Sequence, residues 1–410
     1  MKPLLFIVLF FVSSIVTGQI KYPTKSAASK ENFSDEKPVF SPPNASYEEI
    51  SLTDSSDIKL SNLTNSKFIK VKPATYRNVC LYSFEELNNV VLDLTGAVFE
   101  NCTFIFGKGK GLKIFGGEIK DTHSRVLKFS FELNDFQIYN TNFIDCGDYI
   151  ISASNVLKYD GSDETLNKGF KIMNCSFINC GPITTEGELN DKNDSGLFKD
   201  IEIAYNTFKN SPHTGKVFEG RNLWNYSVHN NVVDSINQQN NNHNGVFELQ
   251  GNGKFHSNRF TNYQGNSIRA WLFSRGTEPL NVEIYNNICY NTRKYSGFEV
   301  QEMKWLIQDG KTTFANAFVY NNTVGVMNTS KSWEGQLLDL YQISGSLEFY
   351  NNLGFNLNRA INPVTDMINY NGNAAGGMKR YNNIYKPNYE QAILDLHTFK
   401  SKHKGIGALL

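Results

Sequence analysis

The sequence predicts an all-β fold, a right-handed parallel β-helix of roughly ten coils. One observation behind this prediction is a short motif, an Asn followed two positions later by an apolar residue. It recurs at irregular steps, from 24 residues between Asn206 and Asn230 to 35 residues between Asn286 and Asn321. The second observation is that the surrounding residues alternate between polar residues and Phe, Tyr, Val, Ile or Thr, as in "IEIAYNTF" and "NVEIYNNI". Such alternation is typical of β-strands.

The Asn motif marks one turn per coil. Its copies are Asn206, Asn230, Asn258, Asn286, Asn321, Asn351 and Asn382. Asn tolerates the left-handed backbone of a tight turn, and its amide can stack on the amide of the next coil. A unit of this length is too short to be a domain, so we expect each coil to stack on the previous one. An antiparallel β-sandwich, the alternative, would not keep one Asn position through seven segments.

The chain divides into three predicted segments. Residues 1–18, "MKPLLFIVLFFVSSIVTG", have a Lys near the start, an apolar run and small residues before Gln19, which is typical of a cleavable secretory signal peptide. Residues 19–48 are polar and rich in Pro and Ser, as in a leader or linker. We expect residues 49–410 to form a single β-helix domain of a protein that is secreted, periplasmic or on the cell surface. No later stretch is long and apolar enough to cross a bilayer.

Charge and cysteine content narrow the function classes. The chain has 40 Lys plus Arg and 40 Asp plus Glu, so no net field favours nucleic acid. An acidic partner would have to be held by local positive groups, and we expect a monomer. None of the six cysteines forms a CxxC pair, which leaves little support for a thiolate zinc site. Cys146 and Cys180 end the matched phrases "NFIDCG" and "SFINCG", and we expect them to stack as apolar fillers in preference to one bridge.

One strand of each coil carries polar residues in its middle. In "VFELQ", alternation places Phe247 and Leu249 in the core and turns Glu248 and Gln250 outward. Alignment of the other copies predicts two outward columns. The first contains Glu219, Glu248, Arg269, Glu299, Asp339 and Asn369, and the second contains Arg221, Gln250, Trp271, Gln301, Tyr341 and Asn371. At a coil spacing of ~4.8 Å the columns form one patch about 25 Å long.

This patch combines carboxylates, guanidinium groups, amides and two aromatic rings, which together suit a sugar chain. The alternative is that the outer face of any β-helix is polar and that Glu beside Arg only relieves crowded charge. That alternative predicts Lys, Thr and Ser as often as Glu and Arg, so we favour a polysaccharide-binding groove. His243 lies on the loop that enters the Glu248 strand. It is a candidate substrate-binding residue or base, and the alternative is a plain turn residue. Trp305, in the loop 301–314, is a candidate sugar platform.

The stretch "FELQGNGKFHSNRFTNYQGNSIRAW", residues 247–271, resembles the alginate lyase and chondroitinase B family within the pectate-lyase-like superfamily. The family's order of a Glu strand, a Lys, an Asn strand and an Arg strand is matched by Glu248, Lys254, Asn258 and Arg269. The resemblance implies that Lys254 takes the proton alpha to a uronate carboxylate and that Arg269 assists proton transfer or holds charge.

The resemblance also implies a calcium ion on paired acidic residues. Here Gln250 stands where a second acid is expected, and the preceding coil offers Glu219 and Arg221. Either calcium is required or Arg221 replaces it, so the metal and its ligands remain unknown at this point.

Three functions follow from the predicted patch. The first is a lyase that cleaves a uronate-containing polysaccharide by β-elimination. The second is a glycoside hydrolase, since Glu219 and Glu248 would lie ~5 Å apart and Glu248 and Glu299 ~9.5 Å apart, which suit retaining and inverting pairs. The third is a surface protein that binds carbohydrate without catalysis. We favour the lyase because Arg269, between Glu248 and Glu299, should keep both acids ionised and make either a poor proton donor.

Overall fold

The computed structural model describes residues 38–154, 157–189, 193–240, 242–275, 278–303 and 312–388, together with 394–395, 400–401 and 407. The predicted signal peptide, residues 19–37 of the predicted leader, and Trp305 lie outside the described residues. The first described strand, Glu48–Ile50, begins one residue before the predicted start of the β-helix.

The strands lie in parallel sheets that run the length of the molecule. The larger sheet has 25 strands and is bent along its length into two faces, here called the first face and the second face. A third sheet has 12 strands. The chain visits the first face, the second face and the third sheet in turn, as in Asn266–Leu272, Asn281–Tyr285 and Ile288–Thr292. This is a parallel β-helix, as predicted, and its third sheet gives twelve windings in the described chain where about ten were expected.

Each winding adds a strand in register with the one before it. The first face contains Asp57–Lys59, Cys80–Asn88, Thr103–Lys110, Leu127–Asn134, Ile151–Ser154, Ile183–Glu186, Phe218–His229, Gly245–His256, Asn266–Leu272, Phe298–Gln301, Leu338–Leu340 and Ile368–Tyr370. The second face contains Glu48–Ile50, Phe68–Val71, Val91–Asp93, Lys113–Phe115, Gln137–Tyr139, Lys171–Met173, Glu202–Ala204, Asn281–Tyr285, Asn316–Tyr320, Leu347–Tyr350 and Met378–Tyr381. Asn167–Lys168 and Phe198–Lys199 lie at the corner between the two faces.

The third sheet contains Thr75–Arg77, Val98–Glu100, Glu118–Lys120, Asn142–Ile144, Ser176–Ile178, Thr207–Ser211, Val232–Ile236, Arg259–Tyr263, Ile288–Thr292, Thr323–Met327, Leu353–Leu357 and Ile384–Lys386. Three short antiparallel strand pairs lie outside the main sheets of the β-helix. They are Glu188–Leu189 with Asp194–Ser195, Ser274–Arg275 with Thr312–Thr313, and Leu394–Asp395 with Lys400–Ser401. Two 3₁₀ turns lie at Leu60–Asn62 and Asp163–Thr165.

Two long strands, Phe218–His229 and Gly245–His256, turn the corner and belong to both the first and the second face. The second of them bends at Gly251 and Gly253, which have φ of +146° and +154°. A Cβ on Gly251 would lie 2.1 Å from the carbonyl oxygen of Leu223 in the neighbouring coil. Glycine is therefore required for the chain to turn this corner against its neighbour. The bend separates the first half of the strand, with Glu248, from the second half, with Lys254.

Inward side chains of the three walls fill one continuous core. Residues at the same position in successive windings stack on one another, as Phe143, Phe177 and Phe208 do in the third sheet, with ring centroids 4.8 Å apart at each step. Phe247 and Leu249 are fully buried in this core, as alternation predicted. Each such side chain contributes about 1.5–3 kcal/mol through burial.

A ladder of buried amides closes the corner between the second face and the third sheet. Its members are Asn206, Asn231, Asn258, Asn287, Asn322, Asn352 and Asn383. The side-chain amide of each donates to the side-chain oxygen of the next over 3.0–3.1 Å, as Asn258 does to Asn287.

Where the sequence has two consecutive Asn residues, the prediction chose the wrong one for stacking. Asn230, Asn286, Asn321, Asn351 and Asn382 adopt the left-handed backbone, and the amide ladder belongs to the Asn that follows each of them. One turn therefore uses two residues for the two properties that the sequence argument gave to a single Asn.

Cys146 and Cys180 lie on neighbouring windings as buried thiols, stacked as the matched phrases predicted. Among the described residues, no helix has both the length and the apolar character to span a membrane.

Candidate functional site

The predicted column on the first face is present in register. Glu219 pairs with Glu248, Glu248 with Arg269, Arg269 with Glu299, and Glu299 with Asp339. Asp339 in turn pairs with Asn369. These side chains are distant in sequence and adjacent in space because each lies at the same position of its winding. The outward direction of the column follows from the burial of the alternate residues in the core.

The column is more deeply covered than the sequence predicted. The side chains of Glu248 and Glu299 are 6% and 0% exposed, and Asp339 is 1% exposed as a residue. The predicted outward patch is therefore exposed only in part. Loops that enter the first face fold over its middle, as the loop ending at His243 does. Glu219 and Arg269, with side chains 16% and 18% exposed, still reach the surface.

The second column is only partly formed. Gln250, Trp271 and Gln301 pair in register, and the backbone N–H of Tyr341 bonds to Val300 beside them. Gln250 is buried, and its side-chain oxygen accepts a hydrogen bond from the backbone N–H of Asn222. Trp271 is partly buried against Phe273 and Met303.

One end of the second column departs from the prediction. Arg221 leaves the column because the pairing slips between Gly220 and Leu223. At the other end the backbone N–H of Asn371 bonds to Leu340, as that of Tyr341 does to Val300.

Lys254 is not brought to the column. It lies beyond the bend at Gly251 and Gly253, on the second face, where it is exposed and pairs with Ser227 and Glu283. The expectation that Lys254 acts beside Glu248 and Arg269 therefore has no geometric support. The corner lies inside a strand of twelve residues, and the sequence pattern of that strand is continuous across it.

Lys216 is the cation that the sequence argument missed. Its Nζ lies 3.0 Å from a carboxylate oxygen of Glu219 and 3.0 Å from one of Glu248. The only available signal was its position three residues before Glu219, from which a long side chain can fold back over the strand. Arg221 adds an ion pair to Glu219. Burial raises the pKa of Glu219, but the hydrogen bonds from Arg221 and Lys216 outweigh it, so the pKa lies below its usual value.

Calcium does not fit the pair of acids that the resemblance suggested. An ammonium group already bridges Glu219 and Glu248, at the position where a calcium ion would have to bind both. The partner expected to complete such a site, Gln250, is engaged with the backbone of Asn222. The positive charge between these two windings comes from Lys216.

Arg269 and Glu299 form the centre of the column. Arg269 Nε lies 2.9 Å from Glu299 Oε1, and its NH1 donates to the carbonyl oxygen of His243 over 3.4 Å. His243 Nε2 lies 3.6 Å from the other oxygen of Glu299, Oε2. The His243 ring stacks on Tyr295 with centroids 4.0 Å apart.

Asp339 is held by neutral donors. Ser296 Oγ and Asn369 Nδ2 donate to its Oδ1 over 2.9 and 3.0 Å, and Asn266 Nδ2 donates to its Oδ2 over 3.1 Å. The side-chain oxygen of Asn266 lies 2.9 Å from His243 Nε2. A continuous polar network thus links Asp339 to His243 beneath the surface.

Burial shifts the pKa of each group in this centre. It raises the pKa of Glu299 to about 7, against the lowering effect of Arg269, and raises that of Asp339 to about 6. Burial lowers the pKa of His243 to about 4 and, together with Glu299 and Asp339, raises that of Tyr341 to about 12. Arg269 lowers the pKa of Glu299 as expected, but desolvation acts against it and is the larger effect.

Two surface cavities, of about 700 and 730 Å³, meet at Glu219. Tyr149 also lines both, with the Arg125 guanidinium 5.4 Å from its ring centroid. Arg221 lines the first cavity and Lys216 the second. The open part of the site therefore lies across the first face beside Glu219, one winding nearer the amino terminus than predicted.

Comparison with solved structures finds a similarity to the alginate lyase AlyF-OU02 in complex with G6. The TM-score is 0.34 and the sequence identity 10%, and the match covers 87% of each chain. No protein-family model matches the sequence, and the curated proteins contain no match either.

Proposed function

We propose that the protein is an exported polysaccharide-active enzyme that cleaves a uronate-containing polymer by β-elimination. The observation that supports this most is the pair of cations around Glu248. Lys216 contacts Glu248 directly, and Arg269 is its partner on the next winding. Both cations are partly exposed, at 24% and 18% of their side chains, so a substrate carboxylate can reach them.

β-Elimination needs such cations. When a uronate carboxylate is neutralised, the adjacent carbon loses its proton more easily, and the resulting negative charge is stabilised. The proton passes to a base, a carbon–carbon double bond forms, and the bond to the glycosidic oxygen breaks as that oxygen gains a proton. Arg269 is well placed to neutralise the substrate carboxylate because the buried Glu299 fixes the position of its guanidinium. A preorganised cation spends little free energy on reorientation during the reaction.

Two side chains near Arg269 can exchange the protons. His243 is 24% exposed and its lowered pKa keeps it neutral, the form that accepts a proton. Tyr341 is partly exposed and its raised pKa keeps it protonated, the form that donates to a leaving oxygen. In this proposal Tyr341 is the acid and His243 is one candidate base. Replacement by Phe at Tyr341 and by Gln at His243 separates the two roles.

Hydrolysis by paired carboxylates is the second candidate, supported by the adjacency of Glu219 and Glu248. It needs one protonated acid that the substrate can reach. Glu219 is accessible but has a lowered pKa, whereas Glu299 has a raised pKa but is fully buried. Accessibility and a raised pKa therefore occur on different acids, so neither Glu219 nor Glu299 is a suitable proton donor for hydrolysis, which favours elimination.

The test is incubation with alginate, pectin and glycosaminoglycans. Elimination creates an unsaturated product with new ultraviolet absorbance, whereas hydrolysis creates reducing ends without that absorbance. The first result supports the proposal and the second contradicts it. Binding without turnover on the whole panel would also contradict it and would favour a carbohydrate-binding protein.

A further inference from the structure

We propose that His243, Glu299 and Asp339 form a binding site for one divalent transition-metal ion. One possible ligand atom from each, an imidazole nitrogen and two carboxylate oxygens, lies within 4.8 Å of the others. The three residues come from three different windings, and Glu299 and Asp339 are register partners. The site is separate from the pair Glu219 and Glu248, which Lys216 already neutralises.

A buried oxygen without a partner points to a ligand in this cluster. Among the described residues, no donor lies within hydrogen-bonding distance of Glu299 Oε2, although the side chain is 0% exposed. His243 Nε2 lies 3.6 Å from this oxygen. A buried carboxylate oxygen that lacks a partner is costly, so such atoms normally bind a proton, a water or an ion. A metal ion held between Glu299 Oε2 and His243 Nε2 would give that oxygen a partner.

Asp339 lacks a cationic partner. Its oxygens accept hydrogen bonds from the neutral donors Ser296, Asn266 and Asn369. The other acids of the column, Glu219, Glu248 and Glu299, are each paired with Lys216, Arg221 or Arg269. A metal ion between Asp339 and Glu299 would supply a positive charge there.

The donor set selects the class of metal. One imidazole nitrogen and two carboxylate oxygens suit Zn²⁺, Co²⁺ or Mn²⁺, whereas Ca²⁺ prefers a shell of six to eight oxygens. The surroundings resemble the outer shell of such sites, in which each ligand is fixed by another group. Arg269 holds the second oxygen of Glu299, Asn266 holds Asp339, and the Tyr295 ring packs against His243. Coordination by Nε2 places the ring proton on Nδ1 and frees the side-chain oxygen of Asn266.

This inference does not depend on the proposed function, since binding is measured without substrate. It does change which residues can exchange protons in the proposed elimination. If the metal occupies His243, then Tyr341 is the partly exposed group left for proton transfer.

The test is equilibrium dialysis of chelator-treated protein against Zn²⁺, with Co²⁺ absorption spectroscopy as a second readout. We expect one bound ion per chain and a visible Co²⁺ spectrum of nitrogen and oxygen coordination. His243→Ala and Glu299→Gln should each weaken binding by about tenfold or more. Glu348→Gln is the matched control, because Glu348 is a buried acid on the second face, paired with Lys379. It should bind as tightly as the wild type.

Two results would overturn the inference. One is that no metal binds at stoichiometric amounts, which would mean that Glu299 Oε2 binds a proton or a water instead. The other is that His243→Ala binds as well as the wild type, which would place any bound metal elsewhere. His243 lies at the edge of the cluster, so its variant keeps the test valid even where Glu299→Gln fails to fold.

Discussion

Arg269 Nε lies 2.9 Å from Glu299 Oε1, with the guanidinium at the surface and the carboxylate fully buried beneath it. The acid cannot reach a substrate, but it fixes the position of a cation that can. The two residues are register partners on successive windings, so the stacking of the β-helix sets their distance. This arrangement makes Arg269 the residue on which the proposed elimination depends most.

The first prediction concerns Arg269→Lys. The ammonium group keeps a positive charge near Glu299, so the fold should survive, but it cannot reproduce the planar donor geometry of a guanidinium. We expect kcat/KM on a uronate polymer to fall by about 100-fold, the usual effect of losing one stabilising donor of a developing negative charge. Arg269→Ala is less informative because it leaves the buried Glu299 without its cation. An Arg269→Lys variant with wild-type activity and an unchanged melting temperature would contradict this role.

The second prediction concerns Lys216→Met, which keeps most of the side-chain volume and removes the charge. Lys216 contacts both Glu219 and Glu248, so its loss leaves two carboxylates adjacent without their shared cation. We expect the pKa of Glu219 to rise and activity to fall by about 10- to 100-fold, equivalent to a charge-assisted hydrogen bond of about 1.5–3 kcal/mol. Steady-state kinetics and titration of Glu219 by NMR measure the two effects. If Lys216 is only structural, stability should change while kcat and KM do not.

The third prediction separates the structure from the sequence resemblance. Lys254 lies on the second face, beyond the bend at Gly251 and Gly253, and pairs with Glu283. Lys254→Ala should therefore leave kcat/KM unchanged in the same assay in which Arg269→Lys is impaired. A large loss of activity with normal folding would instead restore Lys254 as the base.

The sequence was sufficient to predict the order in which the column residues stack. It was insufficient to predict how far each of them is exposed to solvent. Alternation in "VFELQ" and its copies predicted that Glu248, Arg269, Glu299 and Asp339 would stack, and the pairing confirms it. Alternation gives only the direction of a side chain relative to its own strand. It carries no information on the loops that cover Glu299 and Asp339. The same limit explains why Lys216, which reaches the column from a loop, was missed.

The turn residues show a second limit. In "YNNI" both Asn residues suit a turn, and the sequence pattern does not separate the residue that needs a left-handed backbone from the one that stacks. The separation depends on which side chain points inward at the corner, and this is fixed only when neighbouring windings pack. The fold was predictable because either choice gives the same repeat.

The fourth prediction concerns pH and Glu202 on the second face. The pKa of Glu202 is lowered to about 2, from 4.5 in an unfolded chain. The hydrogen bond from His229 is the largest cause, Lys171 adds to it, and burial partly opposes both. Lys171 Nζ lies 2.7 Å from the carboxylate. Because the folded pKa is depressed, the stabilisation is complete above pH 4.5 and is lost as the pH falls towards about 2. Glu202→Gln should therefore flatten the acid side of the urea-unfolding profile; an unaltered profile would exclude this contribution.

The fifth prediction uses two adjacent residues of one turn. Asn352 is fully buried, accepts hydrogen bonds from the backbone and side-chain N–H of Asn322, and donates to Val319 and Asn383. Asn352→Ala removes these bonds and leaves buried donors of Asn322 unpaired, so we expect a loss of about 3 kcal/mol or more in the free energy of unfolding. Asn351, the control, has φ of +53°.

Glycine adopts that backbone readily, so Asn351→Gly should cost less than about 1 kcal/mol. Urea unfolding of both variants measures the difference between them. The reverse order of the two losses would mean that the left-handed backbone, and not the amide ladder, holds the corner together. Equal losses would mean that the left-handed backbone and the amide ladder contribute equally to the stability of the corner.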